Sequence, residues 1–115
     1  MINTILQKLI PTIIINTPWL GANGMALFPF ILVKKPNPSA VLINHERIHL
    51  TQQLEMLILP FYVWYLLEYF WHKTQIKNPY AAYRKISFEQ EAFAHDQDLD
   101  YLQKRPWGAW LKFMT

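Results

Sequence analysis

The sequence predicts a single α+β domain, mostly helical, with a small antiparallel sheet packed on one central helix. Three observations predict it. Residues 25–33 are rich in strand formers and lie between a glycine turn and a proline-containing loop. From Ala40 onward the apolar residues recur at helical rather than alternating spacing. Two helix-start signatures, at Asn78 and Ser87, punctuate the C-terminal half. A chain of 115 residues suits one domain. Within it, residues 1–22 form an N-terminal segment, 23–105 the core and 106–115 an aromatic tail.

The elements follow in order. Residues 1–20 read as a short helix followed by extended chain. Lys8 and the apolar Leu9–Ile15 resemble the start of a leader, but Pro11 interrupts them and no small-residue cleavage site follows. A cleaved signal peptide is therefore not expected. Gly21-Ala22-Asn23-Gly24 signals a turn before the strand. Pro29 cannot donate to a ladder, which places the Phe28–Val33 strand at an edge or a bulge there. After the polar loop Lys34–Ser39 a helix begins near Ala40–Asn44, with Leu42, Ile48, Leu54 and Ile58 at roughly helical spacing. Pro60 ends or kinks it, and Phe61–Trp71 resume. The apolar run Met56–Leu67 is well short of the ~20 residues a bilayer requires, so it reads as a buried helical hairpin supplying the core. Gln75–Asn78 connect to a helix opened by Asn78-Pro79, an N-cap followed by proline. Ser87 and Gln90 fit a capping box, which starts a last helix from about Phe88 to Gln103. The tail, with Trp107 and Trp110, is expected to fold back on the core.

Composition narrows the function. Hydrophobic residues make up 52% and aromatics 16%, whereas charged residues are only 17%, below the roughly 25% of an average domain. Some apolar surface should therefore meet a partner or a membrane, and the expected location is cytoplasmic or peripherally membrane-associated. The net charge of +3 is spread in basic runs no longer than two, which argues against nucleic acid. With no cysteine, any metal must rest on His, Asp or Glu. Three glycines leave no phosphate loop. Ser39 and Ser87 read as loop and cap residues rather than nucleophiles. Asp96, Asp98 and Asp100 read as a wet helix face, since no calcium-loop spacing surrounds them.

One stretch names a chemistry. His45-Glu46-Arg47-Ile48-His49 reads HExxH. On a helix, residues i and i+4 stack, so both imidazoles can reach one ion while Glu46 reaches a water beside it. Two ligands are too few, and the third should come from the helix carrying Glu89 and Glu91. A buried face of Phe88, Ala92, His95, Leu99 and Leu102 places Glu91 nearer its centre, with His95 one turn on as a supporting partner. His95 also qualifies as a fourth ligand or an oxyanion donor, and Tyr83 or Tyr80 could offer a phenol to the same oxyanion. His72 reads as a helix-end residue.

Glu89 with Ala92, and Glu91 with Ala94, both fit ExxA, the third-ligand pattern of the gluzincin zinc peptidases. The chain resembles a group of small, uncharacterised bacterial HExxH proteins of gluzincin type. The resemblance covers roughly residues 24–105. It is carried by Leu27-Phe28-Pro29-Phe30, Ile43-Asn44-His45-Glu46, Gln52-Gln53-Leu54-Glu55, Pro60-Phe61-Tyr62, Ser87-Phe88-Glu89-Gln90-Glu91-Ala92-Phe93 and Asp100-Tyr101-Leu102. It implies a minimal zincin-like domain, one Zn2+ on His45, His49 and Glu89 (Glu91 staying open), Glu46 as the catalytic base, and a peptide or protein substrate. Phe93 or His95 stands where gluzincins often carry Asp, which implies a weaker hold on a ligand histidine. Two rivals remain: a non-catalytic metal-stabilised domain, and a membrane-peripheral interaction protein with an accidental HExxH.

Overall fold

The computed structural model describes residues 12–114. The helical start proposed for residues 1–11 lies outside them. The fold is α+β, as expected. Strands β1 (Ile13–Asn16), β2 (Gly24–Leu27) and β3 (Phe30–Val33) form one sheet in the order β1-β3-β2. The antiparallel pairing holds for β2 and β3, and β1 joins β3 in parallel to make the sheet mixed.

The single strand that composition predicts over 25–33 is thus a hairpin, turning at Phe28-Pro29. Proline fits there because a turn asks no ladder N–H of it. A second correction follows: β3 is the central strand, and the edges belong to β1 and β2.

Helix α1 (Ala40–Glu55) starts where Ser39 Oγ accepts the Leu42 N–H at 3.1 Å. One side, with Leu42, Leu50 and Leu54, covers Ala26, Ile31 and Val33 of the sheet. Ile48 packs on a different side, with Ala92, Tyr101 and Leu102. The chain then reverses through Leu57 and Ile58, both left-handed at φ 59° and 71°. That conformation is strained for a branched side chain, and the Ile58 N–H bonds the Gln53 carbonyl at 2.6 Å to hold it. The break therefore precedes Pro60, which sits in the first turn of α2 (Leu59–Gln75), where no N–H is needed.

Helix α2 corrects the expectation of a buried hairpin. Its inner side, with Phe61, Tyr65 and Tyr69, packs around Ile86, Phe88 and Trp110. Leu59, Val63, Leu66, Leu67, Phe70 and Trp71 are exposed. No described helix is long and apolar enough to cross a membrane.

Helix α3 (Pro79–Lys85) is capped as expected, Asn78 Oδ1 accepting the Ala81 N–H at 3.0 Å. Helix α4 (Ser87–His95) departs from expectation twice. The capping box does not form, because Glu68 of α2 accepts both the Ser87 N–H (2.8 Å) and its hydroxyl (2.6 Å), and Gln90 bonds the Lys85 carbonyl instead. The helix also stops at His95 rather than Gln103 and resumes only as α5 (Tyr101–Lys104). Asn44 draws the Asp96 and Asp98 carbonyls out of the helical ladder at 2.9 and 3.0 Å, and Asp98 Oδ1 accepts the Asp100 N–H. Leu99 is therefore exposed, not part of a buried face. The tail does fold back: a 3-10 helix (Ala109–Phe113) buries Trp110 against Phe88.

Candidate metal centre

α1 and α4 pack together, and this brings the two ends of the expected site into contact. His45 Nε2 and His49 Nε2 lie 3.1 and 3.0 Å from Glu89 Oε1, and 3.2 Å from each other. All three residues are buried, and they form a group able to hold a metal ion.

What surrounds them fixes which atoms face inward. His45 Nδ1 donates to Asp96 Oδ2 at 3.1 Å. His49 Nδ1 donates to Gln52 Oε1 at 2.8 Å. The Gln52 amide cannot be turned round, because its Nε2 donates to the Phe88 carbonyl and to Glu91 Oε1 at 3.0 and 2.9 Å. With both Nδ1 atoms spent as donors, each neutral imidazole presents a bare Nε2 lone pair. Two lone pairs and a carboxylate oxygen then converge, a donor set that could hold a cation.

In the metal-free protein a proton takes that place. Burial lowers the His49 pKa, but the Glu89 carboxylate outweighs it and raises the imidazole to about 9. Glu89 moves the other way. Burial favours its neutral form, yet the His49 charge and hydrogen bonds from His45, His49 and Tyr65 hold it far below the usual carboxylate range. A metal must displace the His49 proton, so its affinity should rise with pH up to about 9, by as much as about tenfold per unit. Equal affinities at pH 6 and pH 8 would contradict this protonation scheme.

Glu46 sits beside the group. Burial raises its carboxyl, against the lowering pull of His49 and His45. Gly24 of β2 lies so near it that a Cβ there would stand 3.1 Å from Glu46 Oε2, tighter than side chains ordinarily pack. Two cavities meet at Glu46, Gly24 and Tyr83. One, of about 270 Å³, runs along β2 past Phe61, Tyr62 and Tyr65; the other, of about 530 Å³, opens past His45, Tyr80 and Phe93. Tyr83, one of the two candidate phenols, lines both cavities, and burial followed by the charge of Glu89 pushes its hydroxyl well above the ordinary tyrosine value.

Other candidates fall elsewhere. Glu91 is fully buried, as its helix position suggests, but it faces Arg105, Tyr101 and Gln52 rather than the histidines. His95 stacks on Tyr101 at 3.9 Å and is no member of the group. His72, near the end of α2, stands 3.9 Å from Glu68.

Asp96 is the main correction. It is buried against His45, not part of a wet face. Its sequence signal is its spacing from Glu89: seven residues, two turns along the same face. Gln52 carries a similar signal, three residues after His49. Tyr65, whose hydroxyl donates to Glu89 Oε2 at 2.6 Å, carries none. Replacing Asp96 with Asn removes the charge that orients His45 and should weaken metal binding by about 10–100-fold, measured by competition with a chromogenic chelator. Wild-type affinity in D96N would contradict the orienting role.

No family model, curated protein or solved structure matches the chain.

Proposed function

We propose that the chain is a zinc-dependent peptidase, with the metal on His45, His49 and Glu89 and with Glu46 as general base. The observation that carries this reading is the placement of Glu46. It is a buried carboxylate of raised pKa, beside three converging acceptors, at the junction of two cavities. Zinc bound there would supply Lewis acidity, lowering the pKa of a water to about 7 and polarising the substrate carbonyl. Glu46 then takes the proton of the attacking water and delivers it to the departing amine. Tyr83, held protonated by its surroundings, donates a hydrogen bond to the oxyanion that develops.

A peptide is favoured as substrate by the strand that borders the cavity. The Lys34 N–H bonds the Asn23 carbonyl, and this sets the phase of the hairpin. Met25 and Leu27 therefore bond inward to β3, while Gly24 and Ala26 turn their backbone groups to the free edge. Gln53 Nε2 takes the Ala26 carbonyl at 2.8 Å. Among the described residues no strand pairs with this edge, so the Gly24 N–H and C=O and the Ala26 N–H can receive an extended chain by strand addition. Three protein ligands beside an open cavity also favour catalysis over a closed structural site, which ordinarily has four.

The test is incubation of the zinc-loaded protein with a mixture of unstructured peptides, read by mass spectrometry. New termini should appear, cease with a chelator and return with zinc. A loaded protein that cleaves no peptide in the mixture would overturn the reading.

A further inference from the structure

Helix α2 has two unlike faces. The inner one forms a wall of the cavity beside the metal group, through Phe61 and Tyr65. The outer one carries Leu59, Val63, Leu66, Leu67, Phe70 and Trp71, each between 53% and 74% exposed. Their spacing places them on one continuous helical stripe, free of charge for three turns. Singly exposed apolar residues are ordinary, but a contiguous stripe of six marks an interaction surface.

The charges around it indicate the partner. Lys73 and Lys77 follow the stripe at the end of α2, and Arg84 and Lys85 lie on α3, which packs against α2. Between residues 59 and 85 the only acid is Glu68, and it is turned inward to Trp64 and Ser87. The same asymmetry holds across the described surface. Lys34, Lys35, Lys77, Arg84, Lys85, Lys104 and Lys112 are exposed, whereas Asp100 is the one exposed acid. The other acids face inward or are half-buried, so the outer surface is more basic than the net charge of +3 conveys.

We propose that the outer face of α2 seats on the surface of an anionic lipid bilayer, its apolar stripe in the headgroup–acyl boundary and its flanking cations on lipid phosphates. An apolar stripe plus basic residues supplies the two contributions that such binding combines. The helix lies in the interface and does not cross it, in accord with its length and polarity. The inference is independent of the metal site, since none of its residues touches His45, His49 or Glu89.

Flotation of the full chain with phosphatidylcholine vesicles, with and without phosphatidylglycerol, tests it. The protein should float with the anionic vesicles and release as salt rises. A Val63→Glu/Leu67→Glu double variant, folded by circular dichroism, should lose more than about tenfold in binding. Lys73→Gln and Lys77→Gln should each weaken it about fivefold. Brominated lipid should quench tryptophan emission, and Trp71→Phe should remove part of that quenching. Absence of binding to anionic vesicles, or undiminished binding of the double variant, would overturn the proposal. So would a stable dimer without lipid that the double variant dissociates, since the stripe would then be covered by a second copy.

Discussion

Glu46→Gln should reduce peptide hydrolysis by about 10²–10⁴-fold while the protein keeps its metal. The substitution is isosteric, so the side chain fills the same space beside Gly24. It removes the one property the mechanism requires, a carboxylate able to accept a proton from water. Glu46 is not among the three converging acceptors, so metal content should match the wild type. The loss should fall on kcat rather than KM, because a base acts in the transition state and leaves peptide binding along β2 unchanged. Turnover within about tenfold of wild type would assign the proton transfer to another group. Loss of the metal would show that Glu46 is a ligand.

Arg105→Met should destabilise the fold by about 3–5 kcal/mol, a fall in melting temperature of more than about 10 °C. Arg105 is fully buried, and its guanidinium bonds both Glu55 oxygens, at 2.7 and 2.9 Å, as well as Glu91. It thereby ties α1 to α4, the two helices that carry the metal group. Methionine has similar length and no charge, so the variant leaves two carboxylates buried without their cation. The deficit should depend on pH in a defined sense. Burial raises Glu91, but the hydrogen bond and charge of Arg105 outweigh it and hold the carboxyl below its ordinary value. Stability from that depressed pKa is present above the unfolded value near 4.3 and is lost as pH falls through the folded one. The gap between R105M and wild type should therefore be wider at pH 6 than at pH 3, below the unfolded value. Wild-type melting in R105M at pH 8 would contradict the clamp.

The HExxH helix was legible because its signals are local. Helical spacing places His45 over His49, and Ser39 caps the start. The third position was harder, because Glu89 and Glu91 both fit ExxA, lie on nearly opposite sides of α4 and are both buried. Burial pointed to Glu91, and Glu91 is the more buried. What burial could not reveal is its partner: Arg105 reaches it from beyond a break in the helix, and no periodicity links the two. Asp96 was masked by its alternating neighbours, although its seven-residue spacing from Glu89 already put it on the same face. Read on a continuous helix, Asp96, Asp98 and Asp100 look solvated. Asn44, some fifty residues earlier, ends the helix by taking its carbonyls and leaves Asp96 turned toward His45. The hairpin at Pro29 and the bare face of α2 were missed for a related reason. A run of apolar residues gives no sign of where it turns or which side has a neighbour.

The metal content of the purified protein tests the account most directly. Elemental analysis should find one zinc per chain in the wild type and in E46Q, and none in His49→Ala, with wild-type melting lowered by a chelator. Wild-type protein that takes up no stoichiometric metal, and melts at the same temperature with and without chelator, would contradict it.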